Sequence, residues 1–310
     1  MNGRDCFGFV DGIERDGDHC RVNGWMLTPS GPPDRVMLDP NSGHGRPCTA
    51  IRRADLALAF PGVPGAERGG FAVELGPDAG ADPAALHDLV GMRGRSEVGR
   101  MTIAIPEPTD PAPLPPADLR QRVAGTVDPR VFRCGGIWNS AEVVAAAARH
   151  AAQPLPAHVL EWGCGCGRMT LHLRRLLPHS TITAVDPDAA SLGWLAPRAG
   201  TVRLVRTAPL PPLPFPPQSF DLVLAVSVFP DLTLAAQELW QQELARMTAP
   251  SGRVIVTTLG PLGAALAAHR HATVQSAELT RRVWTRGMRE LTHAECVFNR
   301  LHDLWVFARD

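Results

Sequence analysis

The chain has 310 residues, of which 45% are hydrophobic, and its formal net charge at pH 7 is +0. This length predicts two domains of ordinary size, and the balanced charge gives no global attraction to nucleic acid or to anionic membranes. The sequence contains no lysine and no tyrosine. That absence excludes Schiff-base chemistry, a Walker lysine and a Tyr/Lys dehydrogenase pair.

The N-terminal stretch MNGRDCFGFV lacks the apolar core of a signal peptide. No apolar run reaches the roughly 18 residues that a membrane span needs. The seven cysteines are scattered, without the paired spacing of a disulfide framework. We therefore expect a cytoplasmic protein with free thiols.

The first part of the chain, residues 1–105, has the pattern of a small β-sandwich. Short apolar runs alternate with Gly, Pro and Asp turns at the spacing of antiparallel strands. These runs are Phe7–Val10, Cys20–Met26, Arg35–Leu38 and Gly70–Leu75. No cluster of carboxylate, histidine and nucleophile occurs here, so we expect an accessory domain. Trp25 is expected in its core, with stacking on a sugar as the alternative.

A proline-rich stretch, PEPTDPAPLPP, predicts a linker over residues 106–118. Residues 119–310 then alternate strands and helices, which indicates a parallel sheet covered on both faces. The predicted strands are His158–Glu161, Thr181–Val185, Val202–Val205, Phe220–Ser227, Arg253–Leu259, Cys296–Phe298 and Asp303–Ala308. The predicted helices are Ser140–His150 with Ser140 as N-cap, Arg168–Leu177, Asp188–Leu195, Leu234–Met247 and Ala277–Leu291.

The stretch EWGCGCGR, residues 161–168, joins a predicted strand to a predicted helix. Its glycines permit positive φ and leave space for a ligand against the backbone. Asp186 ends the next strand, about 20 residues on, where a carboxylate can accept both hydroxyls of a ribose. A dinucleotide fingerprint would need glycine where Arg168 stands, so the spacing disfavours a nicotinamide dehydrogenase. It favours a ligand with an adenosine but no pyrophosphate.

Residues 159–167, VLEWGCGCG, resemble motif I of class I S-adenosylmethionine-dependent methyltransferases, and AVDPD resembles motif II. The stretches LPPLPFPPQSFDLVLAVSVFPDL, ELARMTAPSGRVIVTT and HDLWVFARD resemble later parts of the same family, in the same order. The resemblance covers about residues 120–310. It implies a Rossmann-like, doubly wound α/β sheet of seven strands with an antiparallel last strand, and S-adenosyl-L-methionine as cofactor.

The resemblance also implies roles for single residues. The methionine part of the cofactor would be held by Glu161, Gly163, Cys164 and Gly165, and the ribose by Asp186. The adenine would lie against Pro187, Thr207 and Ala208, and the sulfonium end would face Ser227 and Val228. Trp138, with Asn139, would close over the cofactor. In the first part, RVNGWMLTPSG and AFPGVPGAERGGFAVEL resemble a small β-domain attached to methyltransferases and glycosyltransferases of surface polysaccharide loci.

We therefore expect methyl transfer to a small-molecule or saccharide acceptor, driven mainly by alignment of the reactants. Asp231 is the candidate general base, with capping of the following helix as its alternative. Two departures from the family motivate a second hypothesis. The run VRTAPLPP has no acid to accept the adenine amino group. The segment of residues 260–295, after the fifth strand, is shorter than the corresponding segment of the family. A catalytically inactive scaffold, with a β-domain that binds carbohydrate or protein, would also fit them.

Other polar residues have simpler expected roles. Cys164 and Cys166 are expected as loop filler, because no second Cys/His pair completes a metal site; a reactive thiol at Cys166 is the alternative. His269 and His271 do not share a helix face and are expected at a solvated helix end. Four arginines are expected on a solvated helix, with an anionic-substrate lid or RNA binding as alternatives. They are Arg281, Arg282, Arg286 and Arg289.

Overall fold

The computed structural model describes residues 6–16, 19–43, 45–76, 82, 84–106, 113–150, 156–266, 272–298 and 302–309. The chain divides into two compact units, Met1–Ala117 with Thr126–Glu142, and Asp118–Gly125 with Val143–Asp310. The predicted linker at residues 106–118 stays a prediction, and part of it lies outside the described residues. Among the described helices, none has both the length and the apolar character that crossing a membrane requires.

The described part of the first unit is built from two antiparallel sheets of four strands. The strands are β1 (Phe7–Asp16), β2 (His19–Leu27), β3 (Arg35–Leu38), β4 (Arg46–Pro47), β5 (Thr49–Ile51), β6 (Gly70–Leu75), β7 (Leu86–Arg93) and β8 (Ser96–Ala104). One sheet has the order β1-β2-β6-β5 and the other β4-β3-β7-β8. A short helix, α1 (Ala54–Ala59), lies between β5 and β6 in the chain.

The two sheets of the first unit face each other closely. A Cβ atom at Gly99 of β8 would lie 2.1 Å from Cβ of Cys6, next to β1, so a side chain larger than glycine has no room there. Trp25 packs against Phe7 and Phe60, with ring centroids 6.2 and 5.1 Å away. These contacts confirm the predicted small β-sandwich and favour core packing for Trp25.

The second unit alternates helices and strands. The helices are α2 (Ala117–Ala124), α3 (Pro129–Arg149), α4 (Thr170–Leu176), α5 (Ala189–Leu195), α6 (Leu234–Met247), α7 (Pro261–Leu266) and α8 (Ala277–Trp284). The strands are β9 (His158–Trp162), β10 (Thr181–Asp186), β11 (Arg203–Arg206), β12 (Phe220–Ala225), β13 (Thr248–Thr258), β14 (Arg289–Phe298) and β15 (His302–Ala308). The larger part of α3, residues 129–142, is counted with the first unit, as is Ala117 of α2.

Within the described residues, the second unit has one sheet of seven strands in the order β11-β10-β9-β12-β13-β15-β14. The pairs from β11 to β13 are parallel, and β15 is antiparallel to β13. This confirms the predicted doubly wound sheet with an antiparallel last strand. The strand order reverses beside β9, and ligands bind at the carboxyl ends of the strands at such a point.

One face of this sheet carries a core rich in aromatic side chains. Trp162 at the end of β9 packs against Trp240 of α6, with ring centroids 4.4 Å apart. Trp284 of α8 stacks on Phe307 of β15 at 5.0 Å. Because these rings join the sheet to helices α6 and α8, the carboxyl end of β9 rests on a well-packed support.

Two predicted helices differ from the observed ones. Ser140 is not an N-cap: it lies inside α3, where its hydroxyl donates to the carbonyl of Gly136 at 2.7 Å. The helix begins earlier because Asp128 accepts a hydrogen bond from the backbone N–H of Arg130, and Pro129 occupies its first position. The predicted helix Ala277–Leu291 ends at Trp284, since Gly287 adopts φ 91° and β14 follows.

Candidate functional site

The loop after β9 turns sharply through three glycines with positive φ. The φ values are 77° at Gly163, 53° at Gly165 and 82° at Gly167. A Cβ at Gly163 would lie 2.3 Å from Cγ2 of Val228, so this position requires glycine for space as well as for φ. The N–H of Gly163 donates to the carbonyl of Val185 at 2.9 Å, which fixes the loop to β10.

Asp186 ends β10 and holds this loop with both carboxylate oxygens. Its Oδ2 accepts from the N–H of Gly165 at 2.7 Å, and its Oδ1 accepts from the N–H of Asp188 at 2.8 Å. Burial raises the pKa of Asp186, and the two backbone donors oppose that shift. Each oxygen keeps a second lone pair, so the carboxylate can still accept two hydroxyl groups.

Glu161 lies at the floor of the same loop. It is buried, and its Oε2 accepts a hydrogen bond from the hydroxyl of Thr170 at 2.6 Å. Burial raises the pKa of Glu161 to about 7, against the opposing effects of this hydrogen bond and of the Arg168 charge. A carboxyl with this pKa exchanges its proton near neutral pH and can receive a cationic group of a ligand.

These residues line one cavity of about 320 Å³. It opens at the carboxyl ends of β9, β10 and β12, where the strand order reverses. The sequence-predicted residues that line it are Glu161, Gly163, Cys164, Gly165, Asp186, Pro187, Thr207, Ala208, Ser227, Val228 and Asp231. The fold thus brings together in one place eleven residues that the sequence spreads over seventy positions.

Trp138 is not among the described residues that line this cavity. It belongs to the first unit, where it is buried and its ring packs edge-on against Phe9, with centroids 5.1 Å apart. The ring is therefore engaged in core packing, and its closure over a cofactor stays a prediction.

Helix α2 contributes two residues to the cavity wall that belong to no recognisable sequence motif. Arg122 forms an ion pair with Asp188, with Nη1 2.8 Å from Oδ2. A Cβ at Gly165 would lie 2.8 Å from Cγ2 of Val123, so this side chain rests on the glycine loop. No local pattern connects α2 with a loop about 40 residues away, and only the fold reveals the contact.

Aromatic side chains line the cavity near the stretch VRTAPLPP, which carries no acid. Trp162 and Trp240 both line the cavity, together with Pro209. The indole N–H of Trp240 donates to the carbonyl of Pro209 at 3.3 Å, and the N–H of Thr207 donates to the carbonyl of Asp186 at 3.2 Å. This wall is therefore apolar and fixed at both ends, which suits a flat heteroaromatic ring.

Asp231 is exposed and lies in a single turn after β12, Phe229–Asp231. It does not cap α6, because the hydroxyl of Thr233 accepts from the N–H of Ala236 in that role. Nearby, Ser227 adopts φ 59°, unusual for a residue other than glycine, and its N–H donates to Oγ1 of Thr257 at 2.7 Å. Strained backbone of this kind concentrates at functional sites.

The cysteines of the loop are buried free thiols. Cys164 and Cys166 are buried, and burial raises the pKa of Cys166 to about 11. Burial therefore disfavours the reactive-thiol alternative for Cys166, because loss of hydration opposes the charged thiolate. No group of three or more potential metal ligands occurs among the described residues. His269 and His271 lie outside the described residues.

The four C-terminal arginines do not share one helix face. Arg281 lies on α8, pairs with Glu290 at 2.7 Å and covers the ring of Trp305 at 5.3 Å. Arg286 and Arg289 follow the end of that helix, in a turn and in β14. The engagement of Arg281 favours a structural role over a lid.

Glu161 is expected to make the stability of the chain depend on pH. Its pKa is about 7 in the folded chain, against an ordinary value of 4.5, so unfolding releases a proton between these values. Its contribution to the free energy of unfolding therefore falls as the pH rises from about 4.5 to about 7. The replacement Glu161→Gln keeps an acceptor for Thr170 and should flatten this dependence. Urea unfolding at several pH values checks it; an unchanged slope would contradict the raised pKa.

Comparisons with known proteins agree on the second unit. A family model described as a methyltransferase domain matches residues 159–252. Over 111 residues the chain is 39% identical to a malonyl-[acyl-carrier protein] O-methyltransferase of Halorhodospira halophila, and this alignment covers 34% of the chain and 36% of that protein. The chain thus matches little more than a third of the length of this relative.

Solved structures of similar shape include the magnesium protoporphyrin IX methyltransferase of Synechocystis, with TM-score 0.49, 16% identity, and coverage of 62% of this chain and 94% of that chain. Another is the N-methyltransferase NodS of Bradyrhizobium japonicum in complex with S-adenosyl-l-homocysteine, with TM-score 0.46, 18% identity, and coverage of 62% and 96%. The family match begins in β9 and contains the glycine loop and Asp186. The C-terminal part of this chain therefore contains a methyltransferase domain, matched over residues 159–252.

Proposed function

We propose that this protein transfers the methyl group of S-adenosylmethionine to a small-molecule or saccharide acceptor. The observation that carries the proposal is the meeting of Glu161, the glycine loop and Asp186 around one cavity at the switch point of the sheet. The ammonium group of the methionine end, the ribose and the adenine each require a different partner. This cavity offers a buried carboxyl, a carboxylate with free lone pairs and an apolar wall.

The donor groups suit this cofactor. Asp186 keeps two free lone pairs for the ribose hydroxyls after it has accepted from Gly165 and Asp188. Glu161 is the buried carboxyl that would pair with the ammonium group of the methionine end. The glycines of the loop leave room for the α-amino and carboxylate atoms of that methionine end. Trp240 and Pro209 form the apolar wall for the adenine.

When bound, S-adenosylmethionine supplies a methyl group on a positively charged sulfur. The residues of this chain would then act mainly by orienting two reactants and by excluding water. Ser227 and Val228 lie after β12, at the side of the cavity opposite the ribose partner Asp186. Their fixed backbone would set the direction from which an acceptor approaches.

The acceptor would enter beside Asp231, where the cavity carries an exposed carboxylate. An oxygen or nitrogen nucleophile that still holds a proton needs a base within hydrogen-bond reach. The relative from Halorhodospira halophila is named as an O-methyltransferase. That name makes carboxylic acids and hydroxyl compounds, saccharides included, the first acceptors to test.

Titration calorimetry with S-adenosylmethionine, followed by an assay for S-adenosylhomocysteine with a panel of acceptors, tests the proposal. We expect saturable binding and acceptor-dependent turnover. A folded sample that binds no cofactor at about 0.5 mM, the upper part of the usual range for substrates, would exclude the enzyme. Binding without turnover on any acceptor would favour the inactive scaffold.

Asp231→Asn should lower kcat by about 100-fold or more for a hydroxyl or amine acceptor, because the amide cannot take up a proton. Cofactor affinity should stay within about twofold, since the proposal places Asp231 beside the acceptor and not beside the cofactor. Steady-state kinetics and calorimetry on the same sample check both parts. An unchanged kcat would remove Asp231 from the chemistry.

A further inference from the structure

The first unit contains a second cleft, of about 900 Å³, in a part of the chain that carries none of the cofactor cavity. Its walls come from the turn at residues 30–34, the end of β5, the segment 64–68 and Arg93 at the end of β7. Small-molecule sites usually have about 300–1,000 Å³. The volume of this open cleft lies within that range.

Three arginines line this cleft: Arg52, Arg68 and Arg93. Arg93 is held by neutral acceptors, with Nη1 2.8 Å from Oγ of Ser30 and Nη2 3.2 Å from Oγ1 of Thr28. Its guanidinium is thus oriented, but no carboxylate of the described residues pairs with its charge. The side chains of Arg52 and Arg68 are exposed and make no hydrogen bond or ion pair with the parts of the chain that the structure describes.

Two carboxylates also line the cleft, and neither pairs with these arginines. Asp34 accepts from the backbone N–H of Gly94 at 2.8 Å. The carboxylate of Glu67 has no hydrogen-bond partner within the described residues. Within the described residues, the cleft therefore combines three guanidinium groups that form no ion pair with two carboxylates that keep acceptor lone pairs.

We propose that this cleft binds a soluble small molecule that carries both phosphate and hydroxyl groups. Guanidinium groups bind phosphate oxygens in a two-pronged geometry, which three arginines from separate segments can supply around one group. Glu67 accepts a hydroxyl of the same ligand. No aromatic side chain lines the described cleft, so it lacks the stacking platform of a single-stranded nucleic acid site.

Titration calorimetry of the full chain with inorganic pyrophosphate, at low ionic strength, tests this site. We expect the wild type to bind, and Arg52→Ala and Arg93→Ala each to weaken binding by about tenfold or more. Arg95→Ala is the matched control: Arg95 lies in the same turn as Arg93 but does not line the cleft. It removes the same charge and should change the affinity by less than about threefold.

Arg93 also bonds its surroundings, so its replacement can disturb the fold, whereas the side chain of Arg52 makes no bond with the described residues. Equal weakening by Arg52→Ala and Arg95→Ala would overturn the proposal, because only diffuse charge would then matter. Loss of binding in Arg122→Ala but not in Arg52→Ala would assign the pyrophosphate to the cofactor cavity and also overturn it. Sedimentation with vesicles of phosphatidylcholine and phosphatidic acid, without binding of pyrophosphate, would point to a lipid headgroup and contradict a soluble ligand.

Discussion

Replacement of Asp186 by asparagine is expected to weaken binding of S-adenosylhomocysteine by about 10- to 100-fold. The carboxylate accepts from Gly165 and Asp188 and still has two lone pairs for the ribose. An asparagine side chain keeps one acceptor oxygen and turns two hydrogens toward groups that are themselves donors. It therefore loses at least one charge-assisted bond to the ligand and one bond to the loop.

Asp221→Asn provides the control for this experiment. Its carboxylate also accepts from two backbone N–H groups, those of Ala157 and His158, at 3.0 and 2.9 Å. These bonds lie at the amino end of β9, at the opposite edge of the sheet from the cavity. Asparagine at position 221 can keep both bonds through its single oxygen, so Asp186→Asn should lose more stability than Asp221→Asn, and only Asp186→Asn should lose affinity. Equal affinities in calorimetry would mean that the ribose is held elsewhere.

The glycine loop and Asp186 could be predicted because their signal is local. Positive φ, a close approach and a carboxylate at the next strand end are all consequences of residues near one another in the chain. The observed φ values at Gly163 and Gly165 agree with that pattern. The seven-stranded sheet could be predicted for the same reason, since each βα unit has its own apolar strand bounded by turn residues.

The cavity walls that lie far away in sequence could not be predicted. Arg122 and Val123 come from a helix of eight residues that follows a proline-rich stretch. Trp240 occupies a position in α6 that is equally typical of a buried core. Their approach to the loop depends on how the elements pack, and residue spacing carries no information about that.

Two wrong expectations, the start of helix α3 and a lowered pKa at Cys166, arose because a stronger effect was overlooked. Asp128 before Pro129 is a strong start for a helix, and α3 begins there, whereas the serine at position 140 only resembles a cap. At Cys166 the expectation of a lowered pKa neglected burial. Because the thiol is enclosed, the cost of placing a charge there decides the direction.

Gly163→Ala is expected to cause the second large loss, in both stability and cofactor affinity. A methyl group at this position would lie 2.3 Å from Cγ2 of Val228, and the backbone has φ 77°. The φ strain alone costs about 1–2 kcal/mol, and relief of the overlap requires a shift of the loop or of Val228, which adds about 1–3 kcal/mol. Either shift moves groups that line the cavity.

Gly287→Ala separates these two causes, because Gly287 has φ 91° but no atom of the described chain within 4 Å of an added Cβ. Its stability should fall only by the cost of the φ strain, and it should bind S-adenosylhomocysteine with the affinity of the wild type. The double variant Gly163→Ala with Val228→Ala should recover the overlap part of the lost stability and none of the strain. Urea unfolding and calorimetry measure both quantities. If Gly163→Ala is no less stable than Gly287→Ala, the contact between the loop and Val228 does not constrain this site, and the requirement for glycine lies in backbone conformation alone.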